Sequence, residues 1–210
     1  MSRLKHGFER IRVPQQDRAK KKVKNLLEAA QKCFSALGYE KTTMARIARD
    51  AGVSTGTAYA YYIDKDHVLK EVLVRHVEEI VTPLEEYIDA MPDSADLETV
   101  LKDLITFTIK AHNTDPGIHT VFHSRIMKDP GLHLIANQFR ERGLDVGRTL
   151  VKRFGGSLAQ KDAEATAQVV GGLVEFSTHI GLLYPSTVDN TRACTVAIDM
   201  IKAYFTREIS

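Results

Sequence analysis

Ser54, Thr55, Gly56, Thr57 and Tyr59 crowd a short stretch directly after Gly52. Small and hydroxyl side chains at this density let a helix backbone approach a polyanion. Hydroxyls bond phosphate oxygens or base edges, and the methyl of Thr or Ala60 suits a thymine methyl. Thr42 and Thr43 add hydroxyls upstream, and Lys65 adds a cation downstream. Bond-making chemistry has no comparable signal. No nucleophile–base pair, phosphate-cradling glycine loop or paired-carboxylate motif stands out, so the chain does not read as an enzyme.

These residues need a frame. Val23, Leu26, Leu27, Ala30, Phe34 and Leu37 recur at three- and four-residue steps, which predicts an amphipathic helix over 16–37 closed by Gly38. Thr42 or Thr43 caps a second helix, Met44 to Asp50. Gly52 makes a positive-φ turn, and Ser54 caps a third helix to about Tyr61. Ile47, Ala51, Val53, Ala58 and Tyr61 share a small core, with Ala48 at the helix crossing. Asp64 caps a fourth helix to Val81, with Pro83 kinking or interrupting it. This is the shape of a helix-turn-helix, which places one helix in the major groove. A hairpin of an unrelated bundle, with Gly52 as a C-cap, is the competing reading. An outward Thr, Thr and Tyr face beside basic sequence argues against it.

The two stretches LLEAAQKCFSALGYEKTT and IARDAGVSTGTAYAYYIDKDHVL resemble the DNA-binding domain of the TetR family of bacterial transcriptional regulators. The resemblance implies that Thr42 and Thr43 open the second helix near a phosphate. Ser54, Thr55, Gly56 and Thr57 then begin the recognition helix, Tyr59 and Tyr61 touch the DNA backbone, and Lys65 clamps a phosphate. Two positions depart from the family pattern. Ala60 stands where an aromatic, His or Arg is usual, which removes a contact, and Tyr62 replaces the usual Phe.

Charge supports a polyanion at one end. The formal net charge is +2, yet residues 1–50 hold thirteen Lys and Arg against five Asp and Glu. That segment is net +8 and the remainder net −6. Residues 1–15 read as a flexible basic arm, suited either to the adjacent minor groove or to a disordered tail. Cys33 and Cys194 fit buried thiols in a reducing cytoplasm. The longest apolar run, near Val169 to Tyr184, is broken by Glu175 and His179, so no membrane span and no secretory signal are expected.

Beyond residue 90 the pattern is helical throughout: a fifth helix opened by Ser94 or Asp96, breaks at TDPG (114–117) and KDPG (128–131), and helices over about 132–154, 160–183 and 188–206. The fold expected is all-α, about nine helices. It has an N-terminal three-helix helix-turn-helix domain (16–64) and a helical ligand-binding and dimerisation domain (65–210). The resemblance implies that the last two helices pair with a second copy. Val170, Gly171, Val174, Thr178, Val196 and Met200 mark that interface, and an ordinary internal core is the alternative. Phe107, Ile109, Phe122, Met127, Leu134 and Phe139 suit the apolar wall of an effector pocket. His119, His123, Arg125, Asn137, Glu175 and His179 suit its polar groups, although each also suits plain core or surface. His119 and His123 have the spacing of two metal ligands, with Asp115, Glu175 or His179 as a third. No Glu lies between them and no Cys is near, so no metal and no cofactor are expected.

The reading is a cytoplasmic homodimeric repressor, released from a palindromic double-stranded operator by a small apolar or amphipathic effector. The alternative keeps the DNA-binding end and replaces the small molecule with a protein partner.

Overall fold

In the computed structural model residues 14–208 are described, so the expected basic arm lies almost wholly outside them. In chain order the helices are α1 (Asp17–Lys41), α2 (Met44–Asp50), α3 (Thr55–Tyr59), α4 (Lys65–Asp89) and α5 (Leu97–Thr114). There follow α6 (Pro116–Ile126), α7 (Pro130–Phe154), α8 (Ser157–Lys161), α9 (Ala163–His179) and α10 (Asn190–Phe205). Among the described residues there is no strand, only an isolated bridge between Ile180 and Tyr184. None of these helices is long and apolar enough to cross a membrane.

One short-range rule starts most of the helices. An aspartate just before the first turn accepts a backbone N–H that would otherwise be unpaired. Asp64 accepts from His67 N at 2.8 Å, Asp96 from Thr99 N at 3.1 Å and Asp115 from Ile118 N at 3.1 Å. Asp129 accepts from Gly131 N at 2.8 Å, Asp162 from Ala165 N at 3.1 Å and Asp189 from Arg192 N at 2.8 Å. Pro116 and Pro130 follow two of these caps, where a missing N–H is harmless.

Two expectations are corrected. Helix α4 runs through Pro83 to Asp89 instead of ending near Val81. The expected helix over 160–183 is two helices, because Asp162 recaps the chain, and α9 ends at His179 before Gly181 at φ 80°.

The chain divides into two compact units. The first takes in residues up to Glu78 together with Asp115–Gln138, so it holds α6 as well as α1–α3. Val23, Leu26, Ala30, Phe34, Ile47, Ala48, Ala58, Tyr62 and Leu69 are buried in it. Helix α6 packs on α1. The Asp115 carboxylate accepts Ser35 Oγ at 2.6 Å and Gln31 Nε2 at 2.9 Å, while also capping α6. Gly117 sits at the tightest point, where a Cβ would lie 2.2 Å from Ser35 Oγ and 2.5 Å from Ser35 O.

The second unit is Glu79–Thr114 with Phe139–Ser210. Its core is Val100, Leu101, Leu104, Leu150, Val151, Ala167, Val170, Ile201 and Phe205. A half-buried Arg142 binds Glu85 through two bonds, of 2.6 and 2.7 Å.

Candidate DNA interface

The helix-turn-helix is assembled from local bonds. The Thr43 hydroxyl accepts from Arg46 N at 3.2 Å and starts α2. Gly52, at φ 69°, turns the chain, and Val53 N returns to Ala48 O at 3.0 Å. Ser54 Oγ then accepts from Thr57 N at 3.1 Å and starts α3. Ile47, Ala48, Ala58 and Tyr62 have no exposed surface, so α2 and α3 are held to one another by close burial.

The outward face follows from that inward one. Thr43, Ser54, Thr55, Gly56, Tyr59 and Ala60 are exposed and Thr57 is half-buried. A Cβ at Gly56 would meet only Ser54 Oγ, at 3.9 Å, so internal packing does not demand glycine there. The bare position leaves the α3 backbone open to a close external partner. Arg46 and Arg49, which sequence reasoning did not single out, stand exposed on α2 and bond Asp50 at 3.0 and 3.1 Å. The bond from Arg46 first, then that from Arg49, holds the Asp50 carboxyl below its usual range. The net +8 of the first fifty residues was their only advance signal.

Three expected DNA contacts look different in the structure. Thr42 is completely buried and donates its hydroxyl to Gly38 O at 2.8 Å, so it closes α1 and is shielded from any phosphate. Tyr61 is also buried. The Lys65 ammonium donates to Tyr39 O at 3.0 Å and to Thr42 O at 3.2 Å, and lies 4.0 Å from the centre of the Tyr39 ring. It pins the start of α4 to the end of α1, which leaves one of its three protons for an outside acceptor.

The expected effector residues fall into both units. Phe122, His119, His123, Met127 and Asn137 are in the first; Phe107, Glu175 and His179 are in the second. Phe122, His119 and His179 are buried, and His123 and Asn137 are half-buried. Met127 is 82% exposed and Glu175 is exposed, so neither walls an enclosed cavity. Phe107 packs edge-on against Tyr87 at 5.4 Å. His179 lies against His112 at 4.8 Å, and His112 Nδ1 donates to Thr108 O at 2.7 Å, which fixes its tautomer. Burial pushes the His112 pKa down, against the opposing effect of that bond.

The residues expected at the dimer interface differ in burial. Val170 and Thr178 are buried in their own unit, while Gly171 and Val174 are half-buried. Val196 and Met200 do face solvent, at 58% and 56% exposure, beside exposed Val169, Phe176 and Tyr204. Leu173, Phe176, Ile180, Val188, Val196 and Met200 line an open apolar groove of about 580 Å³ along α9 and α10.

Residues 26–72 match the family model described as bacterial regulatory proteins, tetR family. A 64-residue stretch is 45% identical to the HTH-type transcriptional regulator HbdR of Aromatoleum sp. strain CIB, covering 29% of this chain and 28% of that protein. Over 183 residues the chain is 25% identical to an uncharacterized HTH-type transcriptional regulator of Mycobacterium tuberculosis, with 85% and 92% coverage. Among solved structures, the fatty acid degradation regulator FadR from Bacillus halodurans shares the fold, at a TM-score of 0.65 and 17% identity. That similarity covers 89% of this chain and 97% of FadR. With its α2–turn–α3 frame and these matches, the chain carries a tetR-type DNA-binding domain over residues 26–72 and is a DNA-binding transcriptional regulator of that type.

Proposed function

We propose that the chain works in the cytoplasm as a homodimeric repressor that binds a palindromic operator through α3 and is released by a small apolar or amphipathic effector. The observation that carries the reading is the exposed Ser54–Thr55–Gly56–Tyr59 surface, mounted on a frame held by the fully buried Ile47, Ala48, Ala58 and Tyr62. Hydroxyls and a bare backbone suit phosphates and base edges. The apolar α9–α10 groove supports the dimer, because a two-fold protein matches two half-sites at a fixed spacing. Effector release works through α4, whose first residue is pinned to the α1–α2 turn by Lys65. A ligand that prefers a conformation with α4 displaced changes the separation of the two recognition helices and lowers operator affinity.

Selection from a random double-stranded DNA pool at near-physiological salt tests the central claim. An enriched palindrome is expected, and a pool that stays random refutes sequence-specific binding. Val196→Glu places a charge in the groove and is expected to give a monomer by light scattering, with the palindrome no longer bound. A variant that remains dimeric refutes the α9–α10 interface. Apolar and amphipathic small molecules are expected to release the operator complex; release only by a second protein favours a partner-controlled regulator.

A further inference from the structure

His76 on α4 and His119 on α6 belong to the first unit and are each only 3% exposed. His76 Nε2 and His119 Nδ1 stand 3.5 Å apart, with the ring planes at 61°. That separation is informative. A good hydrogen bond between two such nitrogens closes to about 3.0 Å. Two imidazole nitrogens on one tetrahedral ion, at bonds of about 2.0–2.1 Å, stand about 3.3–3.4 Å apart. The observed 3.5 Å brings both nitrogens within reach of one ion as well as of each other.

His123 follows His119 by one helical turn, and the two ring centres are 4.6 Å apart. Histidines at i and i+4 share one helix face, the arrangement in which a helix offers two imidazoles to a single zinc ion. Negative charge is also at hand. Asp115 lies one turn before His119, and its bonds from Ser35, Gln31 and Ile118 N outweigh burial and hold the carboxyl below its usual range, so it is ionised. Its oxygens already hold Ser35, Gln31 and the α6 N-terminus, so it balances charge from its present bonds without having to become a ligand.

We propose that His76, His119 and His123 form a binding site for a divalent transition-metal cation of the zinc class. Three imidazoles with no thiolate suit Zn²⁺, Ni²⁺ or Co²⁺ over Ca²⁺ or Mg²⁺, which take oxygen ligands. His123 completes the set by turning its ring toward the His76–His119 pair, and water fills the fourth position. His76 contributes the ligand that sequence spacing did not single out, since it lies 43 residues from His119. The site stands apart from the repressor reading and requires no DNA for its test.

The experiment titrates untagged, chelator-treated full-length protein with Zn²⁺ by calorimetry and with Co²⁺ by visible absorption. One ion per chain is expected, with the intense d–d bands of a tetrahedral Co²⁺ site. His76→Ala and His119→Ala are expected to abolish the bands, and His123→Ala to weaken binding by roughly tenfold or more. His133→Ala, at an exposed position, is expected to leave binding unchanged. Circular dichroism checks that each variant is helical; should the two buried variants unfold, the half-buried His123→Ala decides. Absence of an ion in the folded wild type overturns the site. Equal binding by wild type and His123→Ala overturns it as well, leaving only adventitious surface metal.

Discussion

Replacing Gly52 separates backbone conformation from packing at the turn on which the DNA interface depends. Its φ is 69°, and a Cβ built there would meet no atom within 4 Å. A substitution therefore introduces no clash, and its whole effect comes from forcing an L-residue into the left-handed region. For Ala that conformation costs about 1–2 kcal/mol. The stiffer unfolded chain offsets about 0.4–1 kcal/mol of this, leaving roughly 1 kcal/mol of destabilisation. Asn tolerates the region better, and a β-branched Val tolerates it worst, at up to about 3 kcal/mol. For a chain of this length each kcal/mol moves Tm by about 2–4 °C. Thermal melts of the full-length protein are expected to rank Gly52→Asn above Gly52→Ala above Gly52→Val. Operator affinity is expected to fall in the same order, because the turn sets the angle between α2 and α3. Equal melts for Asn and Val, or a Val variant as stable as the parent, would show that φ is not what requires glycine here.

Gly117→Ala drives a Cβ into the Ser35 backbone, and overpacking there is expected to destabilise by about 1–3 kcal/mol. Gly143→Ala, in open space within α7, is expected to stabilise by about 0.5–1 kcal/mol, and urea midpoints in the reverse order would refute the α1–α6 packing. Burial opposes the charge on Asp115, but the bonds from Ser35, Gln31 and Ile118 N outweigh it and hold the carboxyl below its usual range. Its contribution is therefore full above the unfolded pKa of about 3.9 and is lost as pH falls through the lower folded value. The gap in urea midpoint between the parent and Asp115→Asn is expected to narrow below about pH 4; a gap independent of pH would remove the charge from the account. Lys65→Met keeps the aliphatic stem and deletes the ammonium, which is expected to lower Tm and to reduce the salt slope of DNA binding by about one. A lower Tm with an unchanged slope would make Lys65 a pin between α1 and α4 and no more.

What was legible in the sequence was what the chain decides within one helical turn. Thr43, Ser54 and Asp64 cap as expected, since a side-chain oxygen reaching an amide three residues on needs no distant partner. The burial of Thr42 was illegible beside Thr43, because it depends on which hydroxyl turns back to Gly38 O. Along α9 the apolar period was plain, but its phase was not. Val170 and Thr178 face their own core and Val169 and Phe176 face out, a rotation fixed by the helices packed around α9. The attachment of α6 to α1 was also beyond reach. It joins Gln31 and Ser35 to Asp115 across some eighty residues, and the motif TDPG announces only the break.

Tyr39 shows how these long-range ties converge on the helix-turn-helix. It sits in the last turn of α1, and Lys65 from the start of α4 and Arg125 from the end of α6 both lie over its ring, at 4.0 and 3.8 Å from the centre. Its hydroxyl donates to Asp66, and Arg125 lies 3.9 Å from Asp66 and from Glu40. Burial, reinforced by the bond to Asp66, pushes the phenol up to about 12, so it remains a neutral donor at neutral pH. Cation–π contacts of this kind are worth about 0.5–2 kcal/mol each and depend on the cation staying over the ring. A shift of α6 that withdraws Arg125 would weaken the ring contact and the approach to Asp66 and Glu40 together. Lys65 would still hold the carbonyls of Tyr39 and Thr42, directly beside the Thr43 cap that starts α2. The end of α6 and the first turn of the DNA-binding motif are thus joined through one aromatic ring, within a single compact unit.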